Sequence, residues 1–216
     1  MGKYITEFIG TFFLVLVVAL TGNAAAIGVV LMVMVFAGGH LSGAHYNPAV
    51  TVGVLLRGKV NVADVVPYMA AQFVAAAIAA VVVTKFLRAG VPVTPISPHV
   101  GPALFAEFLF TFALVYVVLN AATAEGTSGN SFYGLAIGMT VMTGAFAVGD
   151  ISGGAFNPAV ALGICVLGIS SWSNIWIYLL ADFAAAIVAA VIFQLINQPM
   201  QTTPIATDEP PYETPQ

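Results

Sequence analysis

Charge is what this sequence has least of. Lys and Arg together number 5 and Asp and Glu 9 in 216 residues, so charged side chains make up only 6% of the chain. A soluble domain carries about a quarter, and a chain this poor in charge is not built to be surrounded by water. Cysteine occurs once, at Cys165 in an apolar stretch, which excludes a disulfide framework and fits a packed small hydrophobe. The three histidines, His40, His45 and His99, form no metal-ligand spacing with that cysteine. No nucleophile and base recur together, and there is little hydrophilic sequence in which to seat them. An enzyme is therefore not expected, nor a metal, a cofactor or a nucleic-acid partner.

Apolar sequence is abundant instead. Hydrophobic residues make up 60% of the chain and the mean hydropathy is +1.02. Six apolar stretches stand out: Tyr4–Leu20, Ala24–Gly38, Val65–Leu87, Ala103–Ala122, Phe132–Val148 and Ile175–Ile196. A helix of about 20 residues crosses a hydrocarbon layer of roughly 30 Å. Several stretches are shorter, so flanking residues must complete them, and six spanning helices are expected. Glu7 inside the first stretch, and five more spans after it, argue against a secretory signal. Residues 199–216 hold Asp208, Glu209 and Glu213 among prolines and read as a disordered C-terminal tail.

The chain also repeats itself. "EFIGTFFLVLVV" from Glu7 and "EFLFTFALVYVV" from Glu107 agree at 8 of 12 positions, 100 residues apart. "AIGVVLMV" from Ala26 and "AIGMTVMT" from Ala136 are 110 apart, as are "YMAAQFVAAAIAAVV" from Tyr68 and "YLLADFAAAIVAAVI" from Tyr178. One domain over 1–198 is expected, with repeat one at 1–90, a proline-rich linker at 91–99 and repeat two at 100–198. Three spans per repeat is an odd number, so the second repeat enters from the opposite side and the repeats are inverted. With the N-terminus inside, Lys3, Arg57 and Lys59 face the cytoplasm and Lys85 and Arg88 face out, a small positive-inside bias.

The same 110-residue offset relates "SGAHYNPAV" from Ser42 to "SGGAFNPAV" from Ser152. Asn is a strong helix N-cap and Pro suits the first helical position, so Asn47-Pro48-Ala49 and Asn157-Pro158-Ala159 each start a helix. The segments that follow, "AVTVGVLL" and "AVALGICVL", are too short to span. The stretches before them, "GGHLSGAHY" and "GDISGGAF", suit extended backbone. Irregular backbone at membrane depth survives only inside protein or along a water-filled cavity. Two inverted half-helices would meet near the midplane, each N-terminus carrying about +0.5 elementary charge. The cap oxygens accept backbone N–H groups, which leaves both amide NH₂ groups free to donate into the lumen. That arrangement passes neutral molecules and repels cations.

Paired S-G-[AG]-x-x-N-P-A-V motifs on inverted repeats, with Glu-x-x-x-Thr-Phe opening each half, resemble the aquaporin (major intrinsic protein) family over about residues 1–198. The resemblance implies an all-α membrane protein with six transmembrane helices and two re-entrant half-helices. It implies a passive channel for water and small uncharged solutes in the lipid bilayer, assembled as a homotetramer. A multi-pass protein of the plasma (inner) membrane of a microbe is expected. The family's usual arginine after the second Asn-Pro-Ala is replaced by Val160. Counting from the motifs, the resemblance puts Ile27, Ala145, Gly154 and Val160 at the selectivity filter. It puts the backbone of Gly43, Ala44, His45, Gly153, Ala155 and Phe156 along the pore. Without the arginine this filter is small, apolar and uncharged, and glycerol, urea, hydrogen peroxide, ammonia and metalloid acids such as arsenous acid join water as candidate permeants.

Glu7 and Glu107 sit in apolar spans, where an ionisable group costs roughly 2.5–3.5 kcal/mol. A proton relay is one role for them. The other is to accept hydrogen bonds from the loops before the half-helices, favoured because each repeat has one such glutamate and one such loop. Gln72 and Asp182 are equivalent at the 110-residue offset and read as structural. Two other functional classes stand beside the channel: an ion-coupled secondary transporter, which would need charged ligands that neither motif supplies, and a structural membrane protein with residual channel activity.

Overall fold

A computed structural model of the chain describes residues 1–197; the expected tail lies outside them. Six helices are long and apolar enough to cross a membrane. They are α1 (Gly2–Thr21), α2 (Ala24–Ser42), α4 (Val62–Val82), α5 (Val100–Thr123), α6 (Tyr133–Ser152) and α8 (Ile175–Ile196). A π-turn, Val83–Leu87, extends α4. Two short helices, α3 (Pro48–Leu56) and α7 (Pro158–Val166), follow the Asn-Pro steps. The fold is all-α, as expected, and no strand occurs among the described residues.

The packing follows the repeat. α1 lies against α2 and α4, and α5 against α6 and α8, so each half is a three-helix unit. Each half-helix then crosses to the other half: α3 packs on α8 and α7 on α4. Small residues make the crossings close. A Cβ placed on Gly28 of α2 would sit 2.6 Å from the carbonyl oxygen of Gly138 on α6, and Gly138 meets Gly28 even more tightly. Only glycine allows two backbones this near, a device common where helices associate in lipid.

The structure corrects the sequence reading of the approach to each half-helix. α2 stays helical through Gly38, Gly39 and His40 to Ser42, and α6 runs on to Ser152. Only 43–46 and 153–156 leave the helix. Gly43 (φ 89°) and Gly153 (φ 94°) cap α2 and α6 in the left-handed conformation, as helix-ending glycines commonly do. The linker at 91–99 is irregular, as expected. It is pinned where Ile96 N–H donates to Ile169 O at 2.8 Å, and the Ile96 side chain lies against Gly153.

Candidate functional site: two re-entrant loops around a narrow cavity

Asn47 and Asn157 cap α3 and α7 as their sequence context demands. Asn47 Oδ1 accepts Ala49 N–H at 2.8 Å and Val50 N–H at 3.4 Å; Asn157 Oδ1 accepts Ala159 N–H at 2.9 Å and Val160 N–H at 3.4 Å. The amide nitrogens do something the sequence did not reveal. Asn47 Nδ2 donates to Phe156 O at 2.8 Å and Asn157 Nδ2 to Tyr46 O at 2.9 Å, so each cap binds the other half's loop. Each NH₂ has two hydrogens. One is thus committed across the interface, and one rather than both remains for the lumen.

The loops themselves are strained. Ala44 (φ 52°), Tyr46 (φ 51°) and Phe156 (φ 46°) are non-glycine residues in the left-handed region, at about 1–2 kcal/mol each. The glutamates offset that cost. Glu7 accepts from Ser42 Oγ (2.7 Å), His45 N–H (3.0 Å), Tyr46 N–H (2.7 Å) and Gln72 Nε2 (2.8 Å). Glu107 accepts from Ser152 Oγ (2.6 Å), Ala155 N–H (3.0 Å) and Phe156 N–H (2.6 Å). Both carboxylates are fully buried, and every one of these partners is a group that would otherwise be orphaned in a dry interior. They hold the loops, the second of their two expected roles.

Further polar anchors were not picked out from the sequence. Tyr68 and Tyr178 donate from their hydroxyls to Ser42 O and Ser152 O, each at 2.7 Å, and so fix the last carbonyl of α2 and of α6. Thr51 Oγ1 donates to Asn47 O at 3.0 Å and meets His45 Nδ1 at 3.1 Å and Gln72 Nε2 at 3.1 Å. The recurrence of Tyr68 and Tyr178 at the 110-residue offset was the available signal.

Between the loops lies a narrow cavity of about 30 Å³, against the roughly 10–15 Å³ that one buried water needs. Its wall is as symmetric as the fold. Leu14, Val18, Ile27, Leu31 and Val50 line it from the first half, and Leu114, Val118, Ile137, Val141 and Val160 from the second. These are five pairs at the repeat offsets. Polar lining comes from Asn47, Asn157 and the two loop segments 44–46 and 154–156, and no Lys, Arg, Asp or Glu is among the lining residues. Ala44, His45, Val118 and Ile137 also border a wider vestibule of about 930 Å³, which reaches Lys59 and the 124–130 turn. Cavity and vestibule therefore adjoin through these four residues.

Most residues singled out from the sequence line these two spaces, and some stand behind them. Ile27, Gly154, Val160, Ala44, His45, Ala155, Phe156, Asn47 and Asn157 line the narrow cavity. Gly43 borders the vestibule. Gly153 instead faces Ile96. Ala145 is half-buried and flanks Gly154 from α6 without lining the narrow part. Pro48, Ala49, Pro158 and Ala159 are buried in the first turns of α3 and α7. Tyr46 lines the cavity and was not picked out. No group of three or more His, Cys, Asp or Glu side chains able to hold a metal occurs among the described residues.

The sequence profile described as "Major intrinsic protein" matches residues 1–193. A protein of Lactiplantibacillus plantarum named glycerol uptake facilitator protein-like 6 is 36% identical over 207 residues, covering 88% of this chain and 95% of its own. Aquaporin NIP1-4 of Oryza sativa subsp. japonica is 36% identical over 211 residues, covering 89% of this chain and 76% of its own. Among solved structures, the aquaglyceroporin from Plasmodium falciparum superposes with a TM-score of 0.74 at 22% identity, covering 88% of this chain and 94% of that one, a likeness of fold. Motifs, inverted halves, half-helices and relatives agree: the chain belongs to the major intrinsic protein family, and is a multi-pass membrane channel of the aquaporin and glycerol-facilitator kind rather than an enzyme.

Proposed function

We propose that the chain conducts water and small uncharged solutes, from a set that includes glycerol, urea, hydrogen peroxide, ammonia and metalloid acids such as arsenous acid. The observation that carries this reading is the pairing of Val50 with Val160 in an apolar wall interrupted only by two asparagine amides and loop backbone. A permeating molecule leaves most of its hydration behind in such a passage. A neutral hydroxyl or amide replaces it with the remaining N–H of Asn47 and Asn157 and with loop carbonyls. A cation finds no carboxylate on the wall and meets the positive ends of α3 and α7. A water at the same point turns its oxygen toward both amides, which aligns it against passing a proton along the file. The absence of charged ligands on the wall is also what counts against an ion-coupled transporter, and a cavity lined by both loops beside an open vestibule counts against a purely structural protein.

Val160 occupies the place where the family usually carries arginine, and its substitution tests the filter made with Ile27, Gly154 and the flanking Ala145. A guanidinium there adds bulk, a fixed charge and a rigid fork of donors. In Val160→Arg, inserted at wild-type levels, glycerol or urea flux falls much more than water flux in stopped-flow measurements on proteoliposomes. An unchanged solute-to-water ratio removes Val160 from the constriction. The rest of the reading is a homotetramer with one pore per protomer, checked by native mass in mild detergent. Residence in the plasma membrane of a microbe completes it, with the bacterial relative in its favour.

A further inference from the structure

Behind the second loop the two halves of the molecule break their symmetry. In the first half Gln72 Nε2 donates to Glu7 Oε2 at 2.8 Å, and Gln72 Oε1 and Thr11 Oγ1 are buried without partners. In the second half the equivalent residues are Asp182, Glu107 and Thr111. Thr111 Oγ1 donates to Asp182 Oδ1 at 2.8 Å, while Asp182 Oδ2 is buried with no partner at all. By the repeat relation Asp182 stands where Gln72 stands, and there the Gln72 amide nitrogen gives a hydrogen to the glutamate. A carboxylate oxygen has no hydrogen to give.

The surroundings offer no cation in compensation. Asp182 and Glu107 are both fully buried, and the repeat relation puts Glu107 on α5 in the position toward Asp182 that Glu7 holds toward Gln72. On its own helix, Tyr178 spends its hydroxyl on Ser152 O, and Cys165 is the titratable group of α7. Arg57, at the end of α3, stacks on the Phe193 ring with its guanidinium carbon 5.0 Å from the centroid, three helical turns along α8 from Asp182. Two like charges facing each other in a dry interior cannot both persist, and Glu107 has three donors holding it as the anion.

We propose that Asp182 is a neutral carboxylic acid at physiological pH, donating its Oδ2 proton toward Glu107 in the place of the Gln72 amide, and that it thereby positions the second pore loop. The proton on Asp182 completes the set of donors around Glu107, whose two oxygens hold the backbone N–H groups of Ala155 and of the strained Phe156. Asp182 does not touch the pore; it acts through Glu107.

Infrared spectroscopy of the protein in proteoliposomes at neutral pH reads the proton directly. A protonated-carboxyl C=O band is expected that shifts when aspartate carries ¹³C and stays when glutamate does. The absence of any such band, or a band that moves only with labelled glutamate, overturns the proposal, and neither result depends on a variant folding. A second arm compares Asp182→Asn, which keeps a donor, with Asp182→Leu, of similar size but with none. The Asn variant is expected to lose the band and hold water flux within twofold of wild type, while the Leu variant loses most of its folded yield or flux. Equal behaviour of the two variants overturns the positioning role.

Discussion

In the first pore loop four donors converge on Glu7, and Thr51 ties Gln72, His45 and the Asn47 carbonyl into the same cluster. In the second loop three donors converge on Glu107, and Ala155 and Ala161 stand where His45 and Thr51 stand in the first. The backbone geometry that results is nearly the same: left-handed Tyr46 and Phe156, helix caps at Asn47 and Asn157, matched apolar walls. What the fold conserves between its halves is therefore the path of the loop and the carboxylate that holds it. The side chains behind the carboxylate are free to differ so long as donors and acceptors balance.

The largest test of that comparison removes the carboxylates. Glu7→Ala orphans four donors and Glu107→Ala three, at roughly 1–3 kcal/mol for each buried group, against a typical total stability of about 5–15 kcal/mol. Both variants lose most of their monodisperse protein on size exclusion in mild detergent, and Glu7→Ala loses more. A well-folded Glu107→Ala with new proton conductance would restore the relay role. Thr51→Ala makes the first half resemble the second at that site. It strips an acceptor from Gln72 and His45 and a donor from Asn47 O, and lowers stability by about 1–3 kcal/mol, read as a drop in thermal midpoint with water flux retained. The smallest effect comes from Lys3→Ala. Lys3 pairs with Asp64 at 2.6 Å, with Tyr4 donating to the same carboxylate at 2.7 Å, a cluster with no counterpart at Ala103, Leu104 and Asn174. The pair is partly exposed, and such pairs contribute little. The thermal midpoint of Lys3→Ala stays within a degree or so of wild type, with any difference shrinking further in high salt.

Much of this was legible in the chain because the repeat supplies each observation twice. Glu7 and Glu107 could be assigned to the loops since a buried acid needs donors, and each repeat holds one such glutamate and one such loop. The capping by Asn47 and Asn157 follows from local chemistry alone. The true ends of α2 and α6 did not, because glycine at Gly38, Gly39 and Gly149 weakens a helix by an amount that packing against neighbours overrides. The cross-bonds from Asn47 to Phe156 and from Asn157 to Tyr46 were also out of reach, since they span 109 and 111 residues and depend on how the halves dock. The apolar pairing of Val50 with Val160 became visible only once both lined one cavity.

Those cross-bonds bear on the order in which the molecule is assembled. Glu7 and Glu107 close their own loops across 38 to 49 residues, within a single half, so each half can complete its loop while the other is still being inserted. The exchange between Asn47 and Asn157 has to wait for both. Each half thus carries the last hydrogen bond the other needs, a reciprocal latch that engages only on correct docking. The connection at 91–99 raises the local concentration of one half near the other without forming any part of that latch. Two separately translated pieces, 1–90 and 100–197, hold every group the latch requires.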